Sequence, residues 1–359
     1  MKTGRNHSRR ENRNHQVGVR IPETEKALLQ SALEWPGTKI WTTTRGNGEL
    51  AKALARERFD ARILVWTLDA FQADRLQSDE LPNLRIHCEA DWPDESCDLV
   101  LLPLDPHGEK ELVRETIQSA YKMLALGGIL AIALQAKSEA WGREQMKVFS
   151  KALHLKHHAN NMIVLHVVKS SELKKEKDFR CDMAFRDQGN LIPFQTRPGV
   201  FAHRKIDLGA RQLLNFVNLD AGCHALDIGC GAGTVTIGLA SRDPTIRVTA
   251  IDSNPRAVQL TQQNASLNNL SNIEAFLNHD DTFRAQELCD VAVANPPYFS
   301  NFKIAEIFCV NAHANLRSGG HAVFVTKQIQ WYVENFGRWF ENVDIAESSS
   351  YKIVFGQKV

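Results

Sequence analysis

The chain has no apolar run of the ~18–20 residues that a membrane-spanning helix needs. Its N-terminus has no apolar stretch of the kind that forms a secretory signal. A soluble, cytoplasmic protein without a membrane partner is therefore expected. The seven cysteines (Cys88, Cys97, Cys181, Cys223, Cys230, Cys289, Cys309) are scattered without a C-x-x-C pair, and the 13 histidines show no ligand spacing. This argues against a zinc site or a disulfide framework, so buried reduced thiols and no metal are expected. Charge of one sign is also lacking: the net value is +1, which argues against non-specific nucleic-acid binding over the whole surface. The exception is residues 1–20, where six Lys or Arg stand against a single acid, Glu11. With almost no apolar residues, that stretch reads as a disordered basic arm, suited either to phosphate contacts or to no role at all.

What is present is ample material for two cores. A chain of 359 residues is comfortable as two domains of about 100–200 residues each. Its 43% hydrophobic and 24% charged residues are ordinary for globular folds. The first half reads as strands over 39–43, 61–68, 84–88 and 97–104, with a helix over 49–57. A helix over 110–126 should stop at Gly127-Gly128, followed by a strand over 129–134, a helix over 138–153 and a strand over 162–168. Alternating strands and helices imply a largely parallel, doubly wound sheet. The charged run 169–178 reads as a solvated hairpin or linker.

The second half repeats this order. Helices are expected over 208–217, 234–241, 256–268 (with Pro255 in the first turn) and 304–316. Strands are expected over 224–228, 247–251, 273–277, 290–294, 321–326, 343–346 and 351–355. Aligned by these elements, Arg45-Gly-Asn-Gly48 falls on the glycines at 229–233, Asp69 on Asp252, and Leu104-Asp-Pro106 on Asn295-Pro-Pro-Tyr298. The first half thus reads as a degenerate copy of the second, giving an arm (1–20), a first domain (21–170), a linker (171–190) and a second domain (191–359).

Two motifs carry chemistry. In Asp227-Ile-Gly-Cys-Gly-Ala-Gly233 an apolar strand runs into an aspartate and then into Gly229, Gly231 and Gly233 before a helix. Glycines permit the tight turn and close backbone approach to a ligand, and the helix N-terminus offers free N–H groups. Asp252, about 20 residues on at the end of the next strand, stands where a ribose-binding carboxylate belongs. A dinucleotide enzyme would satisfy this much equally well. The second motif, Asn295-Pro-Pro-Tyr298, separates the two readings. Pro296 and Pro297 hold an extended backbone and remove N–H donors. The Asn295 side-chain oxygen and the Pro296 carbonyl can both accept from one planar amino group. Tyr298 offers a face on which a base can stack. Such a clamp readies an amino nitrogen for attack on an electrophilic methyl group; the bland alternative is a turn closing the strand. Lys327 reads as a surface lysine that could touch phosphate, and Trp331 and Trp339 as core or interface residues.

These motifs resemble those of the class I S-adenosylmethionine-dependent N-methyltransferases. More narrowly, residues 195–359 are similar to the ribosomal RNA guanine-N2 methyltransferases, the C type for the small ribosomal subunit and the G type for the large one. The likeness includes Pro198-Gly-Val-Phe201, Asp207-Leu-Gly-Ala-Arg211, Trp331-Tyr332 and Tyr351-Lys-Ile-Val354. It implies an α/β chain of two tandem Rossmann-like methyltransferase domains, each with a seven-stranded mostly parallel sheet, the N-terminal one degenerate. It also implies S-adenosyl-L-methionine as cofactor and ribosomal RNA or a ribosomal subunit as partner. In residue terms, Asp227, Gly229, Gly231 and Gly233 would line the methionine end of the cofactor and Asp252 would bind the ribose. Asp281 (or its neighbour Asp280) would accept from the adenine amine, Asn295 would orient the guanine amine and Tyr298 would stack on the base. The family usually has Phe-His after the clamp, where this chain has Tyr298-Phe-Ser-Asn-Phe302, a difference that bears on the target base.

Competing expectations are methylation of a protein glutamine amide, since release-factor enzymes share the clamp, methylation of DNA adenine, and a non-catalytic RNA-binding or ribosome-assembly role. The release-factor enzymes resemble a short helical domain joined to one catalytic domain, which an α/β first half does not match.

Overall fold

The computed structural model describes residues 21–77, 80–149, 152–297, 302–348 and 350–359. The basic arm and Tyr298 lie outside the described residues.

The first sheet contains β1 (Lys39–Thr42), β2 (Arg62–Trp66), β3 (Leu84–His87), β4 (Cys97–Pro103), β5 (Leu124–Gln135), β6 (His154–His158) and β7 (Met162–Val168). A two-stranded hairpin, β8 (Cys181–Asp187) and β9 (Asn190–Thr196), follows. The second sheet contains β10 (His224–Ile228), β11 (Arg247–Asp252), β12 (Ile273–Leu277), β13 (Cys289–Ala294), β14 (Leu316–Thr326), β15 (Glu341–Ser348) and β16 (Tyr351–Gln357). The helices are α1 (Glu23–Ala32), α2 (Glu49–Glu57), α3 (Ala70–Leu76), α4 (Lys110–Met123), α5 (Glu139–Met146), α6 (Leu208–Phe216), α7 (Thr234–Ala240), α8 (Pro255–Leu267), α9 (Lys303–Asn315) and α10 (Ile329–Asn335). Among the described residues, no helix is long and apolar enough to cross a membrane.

Strand order is β3-β2-β1-β4-β5-β7-β6 in the first sheet and β12-β11-β10-β13-β14-β16-β15 in the second. The two are the same arrangement, in which only β7 and β16, the last-but-one strand of each order, run antiparallel to the rest. Helices cover both faces, so the central strands are mostly apolar and largely buried. All five residues of β10 are buried, and Leu226 and Ile228 pack with Cys309 and Phe324. Truncating Leu226 to alanine would cost about 2–5 kcal/mol in such a core.

The expected helix stop at Gly127-Gly128 is corrected. Helix α4 ends at Met123, where Leu124 turns extended (φ −61°, ψ 140°), and the glycines lie inside β5. Gly127 takes φ 85°, and the pairing of β4 with β5 shifts register between Cys97 and Leu99. Gly319 (φ 79°) and a shift between Cys289 and Val291 repeat this in the second half. The pairs are bulge glycines, which periodicity cannot distinguish from helix-stop glycines. Helix α5 is also shorter than expected, and the strand β6 beyond it, largely polar on its surface (His154-Leu-Lys-His-His158), shows no apolar alternation.

The charged run after β7 is not solvated at its start. Lys169 is 2% exposed, its Nζ donates to the carbonyls of Lys122 (2.9 Å) and Leu124 (2.8 Å), and it pairs with Glu172 at 2.8 Å. Lys358 Nζ does the same in the second half, donating to Leu316 O at 2.7 Å.

The two halves meet along a polar seam. Arg256, 1% exposed at the start of α8, donates from Nε to Ala90 O (2.9 Å) and from Nη1 to Glu115 (2.7 Å) and to Pro198 O (2.5 Å). Arg197 joins the same carboxylate at 2.7 Å and Asp91 at 2.5 Å. The N–H of Ala70 donates to Ser253 O at 2.9 Å. Burial nonetheless outweighs these partners and lowers the Arg256 pKa, and removing one partner of such a buried pair costs about 3–5 kcal/mol.

Candidate active site

Three adjacent parallel strands, β11, β10 and β13, bring Asp252, Asp227 and Asn295 to one edge of the second sheet. Between β10 and β13 the strand order reverses direction, which is where open α/β sheets hold their ligands.

The loop after β10 is built on its glycines. Gly229 (φ 76°), Gly231 (φ 58°) and Gly233 (φ 89°) all occupy the left-handed region that disfavours side chains. A Cβ on Gly229 would strike the Phe308 ring at 2.9 Å, and one on Gly233 would strike Thr261 at 2.9 Å. A Cβ on Gly231 would meet nothing within 4 Å, so this glycine faces open space that a ligand can fill. The loop is tied from behind: Gly229 and Cys230 donate to Ile251 O (2.8 and 3.1 Å), Thr261 donates to Gly231 O (3.2 Å), and Asn264 donates to Ala232 O (2.8 Å).

The two carboxylates brace this loop. Asp252 accepts from Gly231 N (2.9 Å) with one oxygen and from Asn254 N (2.9 Å) with the other. Asp227 accepts from both the N–H (3.0 Å) and the hydroxyl (2.5 Å) of Thr236, which holds the first turn of α7. Burial pushes the Asp227 carboxyl up to about 6, against the pull of the Thr236 hydrogen bonds. Burial also raises Asp252, although backbone N–H groups favour its charged form. Two desolvated carboxylates at one loop suit a ligand that brings positive charge or hydroxyl donors.

At the end of β13, Asn295 is half-buried and Pro296 buried. The Asn295 Nδ2 donates to Asp207 Oδ2 at 2.8 Å. The same Asp207 oxygen caps α6, accepting from Ala210 N at 3.0 Å. Gly209 lies so close that a Cβ there would sit 2.9 Å from Asn295 Oδ1 and 3.0 Å from Nδ2. Beyond β12, Asp280 is committed to its own turn, accepting from Thr282 N (2.9 Å) and the Thr282 hydroxyl (2.7 Å), while Asp281 is exposed.

The matching bulges fix the correspondence between the halves. Ile40 pairs with Leu99 as Ala225 pairs with Val291. Counting along the strands, Thr42 stands at the place of Asp227 and Arg45-Gly-Asn-Gly48 at Cys230-Gly-Ala-Gly233. Ile63 opposite Ile40 and Val248 opposite Ala225 put Thr67, not Asp69, at the place of Asp252. Asp69 instead corresponds to Asn254; both cap the helix that follows. Pro103, not Leu104, stands at the place of Asn295. The sequence alignment slipped because helix caps and strand-end carboxylates look alike without pairing.

Sequence reasoning missed Asp207 as a partner of Asn295, together with Thr236, Thr261 and Asn264. Asp207 was visible only as part of the resemblance. Its role needs the 88-residue separation from Asn295 to be closed in space.

Comparison with known proteins agrees with this arrangement. A family model for the methyltransferase small domain matches residues 191–355. The ribosomal RNA small subunit methyltransferase C of Shewanella loihica is 25% identical over 318 residues, covering 86% of this chain and 91% of that one. The ribosomal RNA large subunit methyltransferase G of Vibrio parahaemolyticus is 27% identical over 179 residues, 46% of each chain. Among solved structures, a 16S rRNA N2 G1207 methyltransferase of T. thermophilus, in complex with AdoMet and guanosine, superposes with a TM-score of 0.79 at 21% identity. That superposition covers 96% of this chain and 93% of the other, and shows that the two share a fold of two sheets.

Proposed function

We propose that this chain, an S-adenosylmethionine-dependent methyltransferase with residues 191–355 as its methyltransferase small domain, methylates the exocyclic N2 amine of a guanine in small-subunit ribosomal RNA. The observation that carries the reading is the pairing of an open glycine cradle with an amide acceptor at the ends of neighbouring strands. The small-subunit relative supports the choice of substrate because its likeness spans both halves. A ribosomal substrate assigns the enzyme to the cytoplasm.

The cradle residues fit the cofactor: Gly231 leaves open space, and the adjoining desolvated carboxylates match a cationic ligand that carries ribose hydroxyls. Bound S-adenosylmethionine supplies an electrophilic methyl group. Asp227, Gly229, Gly231 and Gly233 take its methionine end, Asp252 its ribose and Asp281 its adenine amine. Asn295 Oδ1 and the Pro296 carbonyl accept the two N–H groups of the guanine amine. This would raise electron density on the nitrogen and hold the amine in one orientation in the site. Pro297 holds the backbone extended, and Tyr298 stacks on the base. A paired guanine must leave its helix to reach this site.

The test is nucleoside mapping of ribosomal RNA from a strain lacking the chain. Loss of N2-methylguanosine at one small-subunit position, restored by the wild-type gene, is expected. Intact rRNA with an unmethylated release-factor glutamine would replace this reading with protein amide methylation.

A further inference from the structure

Resting on the reading of Asn295 as the amine acceptor, we infer that Asp207 is the positioning residue of the methyl-transfer site, holding the Asn295 amide with its oxygen toward the substrate. An asparagine amide presents an acceptor on one side and a donor on the other, and by itself has no preference for which side faces a ligand. A clamp for an amino group works only with the oxygen facing the substrate, because the reversed amide would set two donors against each other.

Asp207 removes that ambiguity. Its carboxylate can only accept, and Oδ2 lies 2.8 Å from Asn295 Nδ2. The oxygen cannot turn away, since it also accepts from Ala210 N at 3.0 Å and thereby caps α6. Gly209 completes the fixture. A Cβ at this position would sit 2.9 Å from Asn295 Oδ1, so the absence of a side chain lets α6 press its first turn against the amide. A charge-assisted hydrogen bond of this kind is about twice as strong as a neutral one. The first half has no counterpart, because Pro103 stands at the place of Asn295 and has no amide side chain to orient.

The full-length chain carrying Asp207→Ser or Asp207→Asn tests this. Serine is a good helix cap, so D207S keeps the Ala210 bond and melts with the wild type, but its shorter side chain does not hold Asn295. We expect its kcat for rRNA methylation to fall by about 10²-fold, as when one preorganised polar partner is removed, with cofactor affinity unchanged. In D207N one oxygen can still accept both N–H groups, so most of the rate returns. Wild-type turnover in D207S would overturn the inference. A D207N rate as low as that of D207S would also overturn it, because charge rather than orientation would then be the requirement. A readout independent of the acceptor is NMR of the Asn295 side-chain amide. Its protons should be protected in the wild type and D207N and exchange freely in D207S. Should the wild type leave rRNA guanine unmodified, the functional reading falls while this signal still decides the role of Asp207.

Discussion

The two sheets share strand order, matching bulge glycines, a cysteine before each bulge and a lysine that reaches the carbonyl of the first residue of β5 or β14. They part at the strand ends: Asp227, Asp252 and Asn295 in the second half stand where Thr42, Thr67 and Pro103 stand in the first. The threonines turn their hydroxyls inward, Thr42 to Leu101 O at 2.7 Å and Thr67 to Gln72 at 2.7 Å. The first cradle is also filled by its own side chains. Glu25, fully buried in α1, accepts from Arg45 N and Leu50 N, both at 3.0 Å. Gln72 donates to Gly46 O at 2.9 Å, and a Cβ on Gly46 would meet Glu49 at 2.9 Å where one on Gly231 meets nothing. Fold and site are thus held by different residues: the apolar strands keep the sheet, and the first half closes its cradle with carboxylates that accept from the loop N–H groups and an amide that donates to a loop carbonyl.

The first half still serves the second. Ala70 bonds Ser253, and Arg256 anchors in Glu115, so the segment carrying Asp252 is held from across the seam.

The strongest way to break this comparison is at the clamp. Asn295→Ala should lower kcat by about 10³-fold while calorimetry finds cofactor affinity unchanged; undiminished turnover would remove Asn295 from the chemistry. Next is Asp252→Thr, which installs the residue of the first half. With charged hydrogen bonds each contributing about 1.5–3 kcal/mol, cofactor Kd should rise by about 10²-fold. The same titration on the wild type should give one site per chain, and a second site would mean that the first cradle is not closed. Asp227→Asn sharpens the cost of the buried carboxylate. Because folding raises its pKa to about 6, its favourable contribution is complete only below its unfolded value and is lost as pH rises through about 6. The variant should therefore be more stable than the wild type at pH 7.5, by on the order of 2–3 kcal/mol. That advantage should disappear below about pH 4; a gain that ignores pH would refute the assignment. The smallest effect is expected from Glu25→Ala, which leaves two N–H groups without their carboxylate. A loss of about 1–2 kcal/mol in denaturant unfolding, with cofactor affinity intact, is expected.

Much of the fold was legible because central parallel strands are continuous apolar runs and Gly-rich turns punctuate them. The polar strand β6 and the bulges at Gly127 and Gly319 were not, since neither alters the apolar pattern. Helices α1 and α3 escaped for a related reason: each is short and buries only part of one face. Lys169 looked like part of a solvated run because its burial depends on carbonyls from the end of α4 and the start of β5. Of the candidate site, the loop Asp227–Gly233, Asp252 and Asn295–Pro297 could be picked out by residue type and spacing, because each sits directly at a strand end.

By itself the sequence determined that the chain holds two α/β halves and that only the second carries a cradle and a clamp, because backbone turns and strand-end side chains are local matters. The tertiary structure decided that Thr67 rather than Asp69 takes the place of Asp252 in the first half, and it made the contacts that surround the motifs, Glu25 in the closed cradle and Asp207 behind Asn295. Those contacts join residues 20 to 88 positions apart, and a hydrogen bond depends on distance and direction in space, which spacing along the chain does not specify.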